Sequence, residues 1–143
     1  MNYEIQVITL PVSDVDRART FYTERAGFRL DVDYAPNAGY RVVQLSPPGS
    51  PCAIQFGVGL TDAPPGSART TYLVVNDLSA AHQQLHDRGV PVSDITHKPS
   101  IDDWQGDWAK GIDPQRRDYA SVAHFADPDA NTWIVQEIGY QRG

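Results

Sequence analysis

The strongest constraint on this chain is that its second half repeats the punctuation of its first. Val12-Ser13-Asp14-Val15, followed by Ala18, Tyr22 and Gly27, is matched by Val75-Asn76-Asp77-Leu78, followed by Ala81, Leu85 and Gly89. The spacing drifts by one residue only at the last position. Each copy sets a polar cap, whose oxygen can accept from the first free backbone N–H groups of a helix, after an apolar β-branched run. Each copy then shows an apolar stripe at helical spacing and ends on a glycine that tolerates the left-handed conformation of a helix stop. Two units of one design, each a strand leading into an amphipathic helix, follow from this pattern.

Strands complete each unit. Ile5 to Val12 reads as the first strand, and Phe28 to Tyr34, Tyr40 to Leu45 and Cys52 to Phe56 follow the first helix. Pro36-Asn37-Ala38-Gly39 and Pro47-Pro48-Gly49-Ser50 separate these strands by hairpin-like distances. Residues 59 to 68 form a Pro/Gly-rich connection without periodicity. After it the second unit runs through Thr70 to Val75, the second helix, and strands at Val92 to Thr96, Tyr119 to Phe125 and Thr132 to Ile138. The order is βαβββ twice, an α+β chain with module one at about 3–58 and module two at about 69–139. All 143 residues are expected to make a single domain, a size at which a chain buries a substantial core.

Composition narrows the partners. Eighteen acidic residues against twelve basic ones leave a formal charge of -6, which repels phosphate backbones and anionic lipid. Nucleic acid and membrane are therefore excluded as expected partners. Cys52 is the only cysteine, so an internal disulfide is impossible and no zinc-type cysteine spacing exists. The N-terminus has no basic leader region and no apolar run is long enough to span a bilayer, so the expected location is cytoplasmic.

Two stretches carry a family resemblance. Leu10-Pro11-Val12-Ser13-Asp14-Val15-Asp16-Arg17-Ala18, with Phe21-Tyr22 and Gly27-Phe28, resembles the opening of a vicinal oxygen chelate module. Phe125-Ala126-Asp127-Pro128-Asp129-Ala130-Asn131-Thr132-Trp133, ending in Gln136-Glu137, resembles the Asp-Pro-Asp-Gly-Asn turn before that family's last strand, with Ala130 where glycine is usual. The family includes glyoxalases, bleomycin-resistance proteins and extradiol dioxygenases. The resemblance implies two βαβββ modules curling their mixed sheets into a cup, commonly paired across chains as a homodimer. It also implies metal ligands on the first and last strand of each module, drawn from His, Glu or Gln. At those positions this chain has Val7, Gln55, Thr70 and Ile134. Three of them cannot serve as usual ligands, and an amide alone would not hold a transition ion against water. No metal and no other cofactor is expected.

Strand alternation then assigns the cup. If Ile134 faces it, so do Val7, Thr9, Gln55, Thr70, Tyr72 and Gln136, while Trp133 packs under a helix. This lining is apolar with hydroxyls and amides, suited to orienting a small organic ligand or simply filled by its own side chains. His82 and His86 stand four apart on the second helix without a carboxylate between them, and read as a solvated face. His124 is out of phase with Ser121, Ala123 and Phe125, which leaves it either in the cup or beneath the helix.

The connection from His97 to Asp118 is long for a compact domain and reads as a lid or binding loop, or else as a cover over the sheet edge. It contains Trp104 and Trp108 for stacking, and most titratable groups that the cup lacks. The expected function is metal-independent binding of a small planar or aromatic molecule, similar to bleomycin-resistance sequestration. Its rival is a metal-free isomerase, cyclase or lyase using His97, Asp103, Asp107 or Tyr119 as acid or base. A metal-dependent glyoxalase or dioxygenase is the third reading.

Overall fold

Asp14 and Asp77, the matched aspartates of the repeat, do the same work in both halves. Each has extended backbone, and each side chain accepts from an N–H three residues on, Arg17 or Ala80, at 3.1 Å. They open helix α1 (Val15–Thr20) and helix α2 (Leu78–Asp87). The computed structural model describes every residue except Ile101, Asp103, Trp104 and Gly143. It divides into two compact units, residues 1–69 with 127–131, and residues 70–126 with 132–143.

In the first unit α1 runs on into a π-helical turn, Phe21–Arg25, where the Ala26 N–H donates to the Phe21 carbonyl at 2.9 Å. The wider turn lets two consecutive aromatics, Phe21 and Tyr22, both face the core. Tyr22 packs against the rings of Phe28 and Phe56 at 5.6 and 5.7 Å. The strands are β1 (Val7–Thr9), β2 (Arg29–Asn37), β3 (Tyr40–Ser46) and β4 (Ala53–Val58), ordered β1-β4-β3-β2. The β1–β4 pair is parallel and the others antiparallel. Val43, Leu45, Ile54 and Phe56 are buried on the helix side of this sheet. On that same side Arg41 reaches Asp16 of α1 at 2.8 Å and Asp33 of β2 at 3.0 Å.

The Asp-Pro-Asp-Ala-Asn turn belongs to this first unit, and its sequence has a physical reason. The buried Asp127 carboxylate accepts from the Tyr22 hydroxyl at 2.7 Å, the Asn131 amide at 2.8 Å, and the backbone N–H groups of Asp129 and Asn131 at 3.0 and 2.9 Å. Asn131 in turn donates to the Pro11 carbonyl at 2.9 Å and accepts from the Ala68 N–H at 3.1 Å. Asp129 accepts from the hydroxyl of Ser13 at 2.6 Å. Ala130 sits at φ 72°, left-handed space that costs a residue with a Cβ. Gly66 is obligatory for another reason: a Cβ there would lie 2.0 Å from the Asp129 carbonyl oxygen.

The second unit repeats the strand order of the first. Its strands are β5 (Thr71–Val75), β6 (Thr96–His97), β7 (Ala109–Lys110), β8 (Ser121–Ala126) and β9 (Thr132–Glu137), ordered β5-β9-β8-β6-β7. The β5–β9 pair is parallel, and β7 is an addition at the far edge. Leu78, Ala123, Val135 and Trp133 are buried, and Trp133 stacks on Phe125 at 5.9 Å between ring centres. Glu137, fully buried, accepts from the Leu78 N–H at 2.9 Å and from two nitrogens of Arg116 at 2.9 and 2.6 Å. A buried carboxylate paired bidentately in this way is satisfied rather than reactive. No helix among the described residues is long and apolar enough to cross a membrane.

The chain is therefore α+β with two mixed sheets and two matched modules, as expected, but several elements differ in extent, among them β2, which runs on through Pro36 and Asn37 of the expected turn. The first strand covers Val7–Thr9 instead of Ile5 to Val12. Tyr3 and Ile5 are exposed before it, and Pro11 beyond it has no N–H to continue the ladder. The strand expected at Val92 to Thr96 is reduced to Thr96–His97, with Ser93 joined to His124 by single bonds outside any strand. Tyr119 does not open β8, because its φ of 71° breaks the extended run.

Candidate functional site

Register decides which side chains share a face. In the second sheet Val74, Gln136, Val122, Thr96 and Lys110 form one row across the strands, and Tyr72, Ile134 and His124 form the next. This is the face away from Trp133, Val135 and Phe125. Tyr72 and Val74 are 59% and 63% exposed on it, an uncommon state for large apolar groups on a sheet. Ile134 lies buried between its neighbours, and Gln136 is half-buried, its amide donating to the Tyr119 carbonyl at 2.9 Å. Thr70, one residue before β5, has φ 56° and donates its N–H to the Thr132 hydroxyl at 2.8 Å.

In the first sheet the face away from Phe56 carries Val7, Thr9, Gln55, Gln44, Val42, Val32 and Tyr34. The Gln55 amide donates to the Thr9 hydroxyl at 2.9 Å. Within each unit, then, the structure brings the expected residues together on one side: Val7, Thr9 and Gln55 in the first, Tyr72, Ile134 and Gln136 in the second.

The long connection supplies an aromatic wall. Trp108 is 43% exposed beside β7, and its ring lies 4.8 Å from the ammonium of Lys98. Lys98 is fully buried and donates to the Gly106 carbonyl, so one cation fixes both the loop backbone and the indole. The loop's other end is tied by Asp113. Burial alone would raise this carboxyl, but hydrogen bonds from the Arg117 side chain and from the backbone of Arg117 and Gln115 outweigh it, lowering it from 3.8 to about 2. Asp113 and Arg117 meet at 2.8 Å.

Trp108, His124, Thr96, Ser93 and Asp94 line a hollow of about 490 Å³ in the second unit. That is within the range of small-ligand sites. Sequence reasoning left His124 undecided, and register places it on the open face opposite Ile134. The β8–β9 alignment that settles this lies in the pairing, which strand alternation alone does not disclose.

The candidate acids and bases are scattered. His97 pairs with Ser121 on the helix side of the sheet, and its Nδ1 meets the Gly111 carbonyl at 2.8 Å. Asp107 is exposed on the loop, and Tyr119 is 52% exposed just before β8, its backbone bonded to Glu137 and Gln136. Asp103 and Trp104 lie outside the described residues. Among the described residues no group of three His, Cys, Asp or Glu side chains is placed to hold a metal ion. The metal of the resembling enzymes does not fit the corresponding positions: Val7 and Ile134 are aliphatic, and the Gln55 amide is engaged by Thr9.

The chain matches the family model described as Glyoxalase/Bleomycin resistance protein/Dioxygenase superfamily over residues 4–135. No curated protein matches it. Among solved structures it is similar to TnmS3, an antibiotic binding protein from Streptomyces sp. CB03234, at 28% identity and TM-score 0.70, covering 96% of this chain and 98% of that one. A glyoxalase/bleomycin resistance protein from the same organism is also 28% identical, with TM-score 0.67 over 94% of this chain and 100% of its own. A superfamily member from Sphaerobacter thermophilus DSM 20745, 24% identical with TM-score 0.67 over 96% and 98% of the two chains, shares the fold.

Proposed function

The chain belongs to the Glyoxalase/Bleomycin resistance protein/Dioxygenase superfamily, and from that premise we propose that it binds a small planar or aromatic organic molecule without a metal and releases it unchanged. One observation carries this reading: the open face of the second sheet leaves Tyr72 and Val74 exposed on β5, and the row from Tyr72 through Ile134 ends at His124, which lines a hollow walled by Trp108. Exposed aromatic surface with a few hydroxyls and amides is the composition of a site that orients an organic ligand. The similar structure described as an antibiotic binding protein supports the same reading. The ligand contacts proposed in the second unit are Thr70, Tyr72, Ile134, Gln136 and Trp108, while Val7, Thr9 and Gln55 are the candidates on the open face of the first unit's own sheet. Metal independence rests on Val7, Thr70 and Ile134, which offer no imidazole or carboxylate.

Assembly as a homodimer is part of the proposal. Strand β2 is a sheet edge whose nine residues are all exposed, Val32 and Tyr34 among them, and such an edge favours pairing with another copy. A cytoplasmic location accords with the single cysteine and acidic charge, and cell fractionation tests it.

The test of function is selection of bound compounds from a planar-aromatic library in the presence of a chelator, followed by mass analysis of what is released. We expect an unaltered compound whose affinity falls by roughly 1 to 3 kcal/mol in Tyr72→Ala or Trp108→Ala, the usual worth of a buried aromatic contact. Asp107→Asn should change it little. Conversion of the compound, lost in Asp107→Asn or Tyr119→Phe at unchanged affinity, would replace the binding reading with catalysis.

A further inference from the structure

Of the four histidines, three are accounted for. His82 Nε2 meets the Ser93 carbonyl at 2.9 Å, His97 meets the Gly111 carbonyl at 2.8 Å, and His86 lies on the solvent side of α2 beside Asp87. His124 differs. It is exposed on the open face and its imidazole makes no hydrogen bond to a described residue.

Its backbone, by contrast, is held twice. The Ser93 N–H donates to the His124 carbonyl at 2.8 Å, and the His124 N–H donates to the Ser93 hydroxyl at 2.8 Å. The ring is thus presented on a fixed base with both nitrogens available, which is the condition for a preorganised contact. It shares its hollow with Trp108, Thr96 and Asp94.

We infer that His124, Thr96 and Trp108 form a subsite for the phenolic hydroxyl of a planar aromatic ligand, an inference that rests on the binding reading above. The indole supplies a stacking wall for the ring. A neutral imidazole has one donor and one acceptor nitrogen, and the Thr96 hydroxyl has both capacities. A ligand hydroxyl, which also donates and accepts, completes such a pair. A ligand with no hydrogen-bonding group would leave the imidazole and hydroxyl desolvated without partners.

The probes are 2-naphthol and 2-methoxynaphthalene, titrated into the full chain while the His124 imidazole and Trp108 indole resonances are followed by NMR. We expect 2-naphthol to shift both saturably and to bind about fivefold more tightly than the ether, the worth of one neutral hydrogen bond. His124→Phe should abolish that preference, and His124→Gln, which keeps a hydrogen-bonding group, should restore part of it. Saturable binding of both compounds with no preference, unchanged by His124→Phe, would overturn this inference and leave the binding reading standing. Failure of both compounds to shift any open-face resonance would overturn the two together.

Discussion

Replacing Asp127 by asparagine changes one oxygen into an amide and should cost this chain a large share of its stability. One carboxylate oxygen accepts from the Tyr22 hydroxyl and the Asn131 amide, and the other from the backbone N–H groups of Asp129 and Asn131. Asparagine keeps one acceptor oxygen, so two of these four donors face an N–H₂ group instead. If the amide nitrogen points to the Tyr22 side, the tyrosine hydroxyl can turn and accept, but the Asn131 amide cannot. With hydrogen bonds to a charged group contributing about 1.5 to 3 kcal/mol each, the net loss is about 2 to 4 kcal/mol against a typical total of 5 to 15. Urea unfolding followed by tryptophan fluorescence measures it, with Tyr22→Phe and the double variant closing a thermodynamic cycle. Tyr22→Phe should cost less in the Asp127→Asn background than in the parent. A loss below about 1 kcal/mol, or an identical cost of Tyr22→Phe in both backgrounds, would refute the role given to this carboxylate.

Acid should weaken the second unit through Asp113. Its folded pKa of about 2 lies below the ordinary 3.8, so its contribution, about 2 kcal/mol, is present above pH 4 and is lost as pH falls toward 2. Asp113→Asn should remove that part of the pH dependence in denaturation curves between pH 5 and 2, and an unchanged slope would contradict it. Sedimentation over micromolar concentrations should give twice the 15.8 kDa chain mass, whereas a single chain mass throughout would rule out the dimer.

Much of the fold was legible because its signals are local. The paired aspartate caps and glycine stops mark both helices, and the shared parity of Val7 with Thr9 and of Ile134 with Gln136 places side chains from alternation alone. What stayed hidden depends on pairing or on backbone detail. Strand β7 has two residues, Ala109 and Lys110, too few to show an alternation. The π-helical turn leaves only two adjacent aromatics, Phe21 and Tyr22, as its trace. Lys98 reads as one more charged loop residue, yet it is buried beneath Trp108, because a long apolar stem can be covered while its ammonium finds a carbonyl and a ring. The face of His124 followed from the β8–β9 register, a long-range fact.

The most direct test of metal-free ligand binding is native mass spectrometry of the protein purified from its own cells without chelator, read before and after denaturation. Metal-free binding requires one organic molecule per site, released unaltered on denaturation, with less than one equivalent of Fe, Mn, Ni or Zn. A full equivalent of one of these metals, together with loss of the bound molecule when a chelator removes the metal, would show that binding depends on a metal.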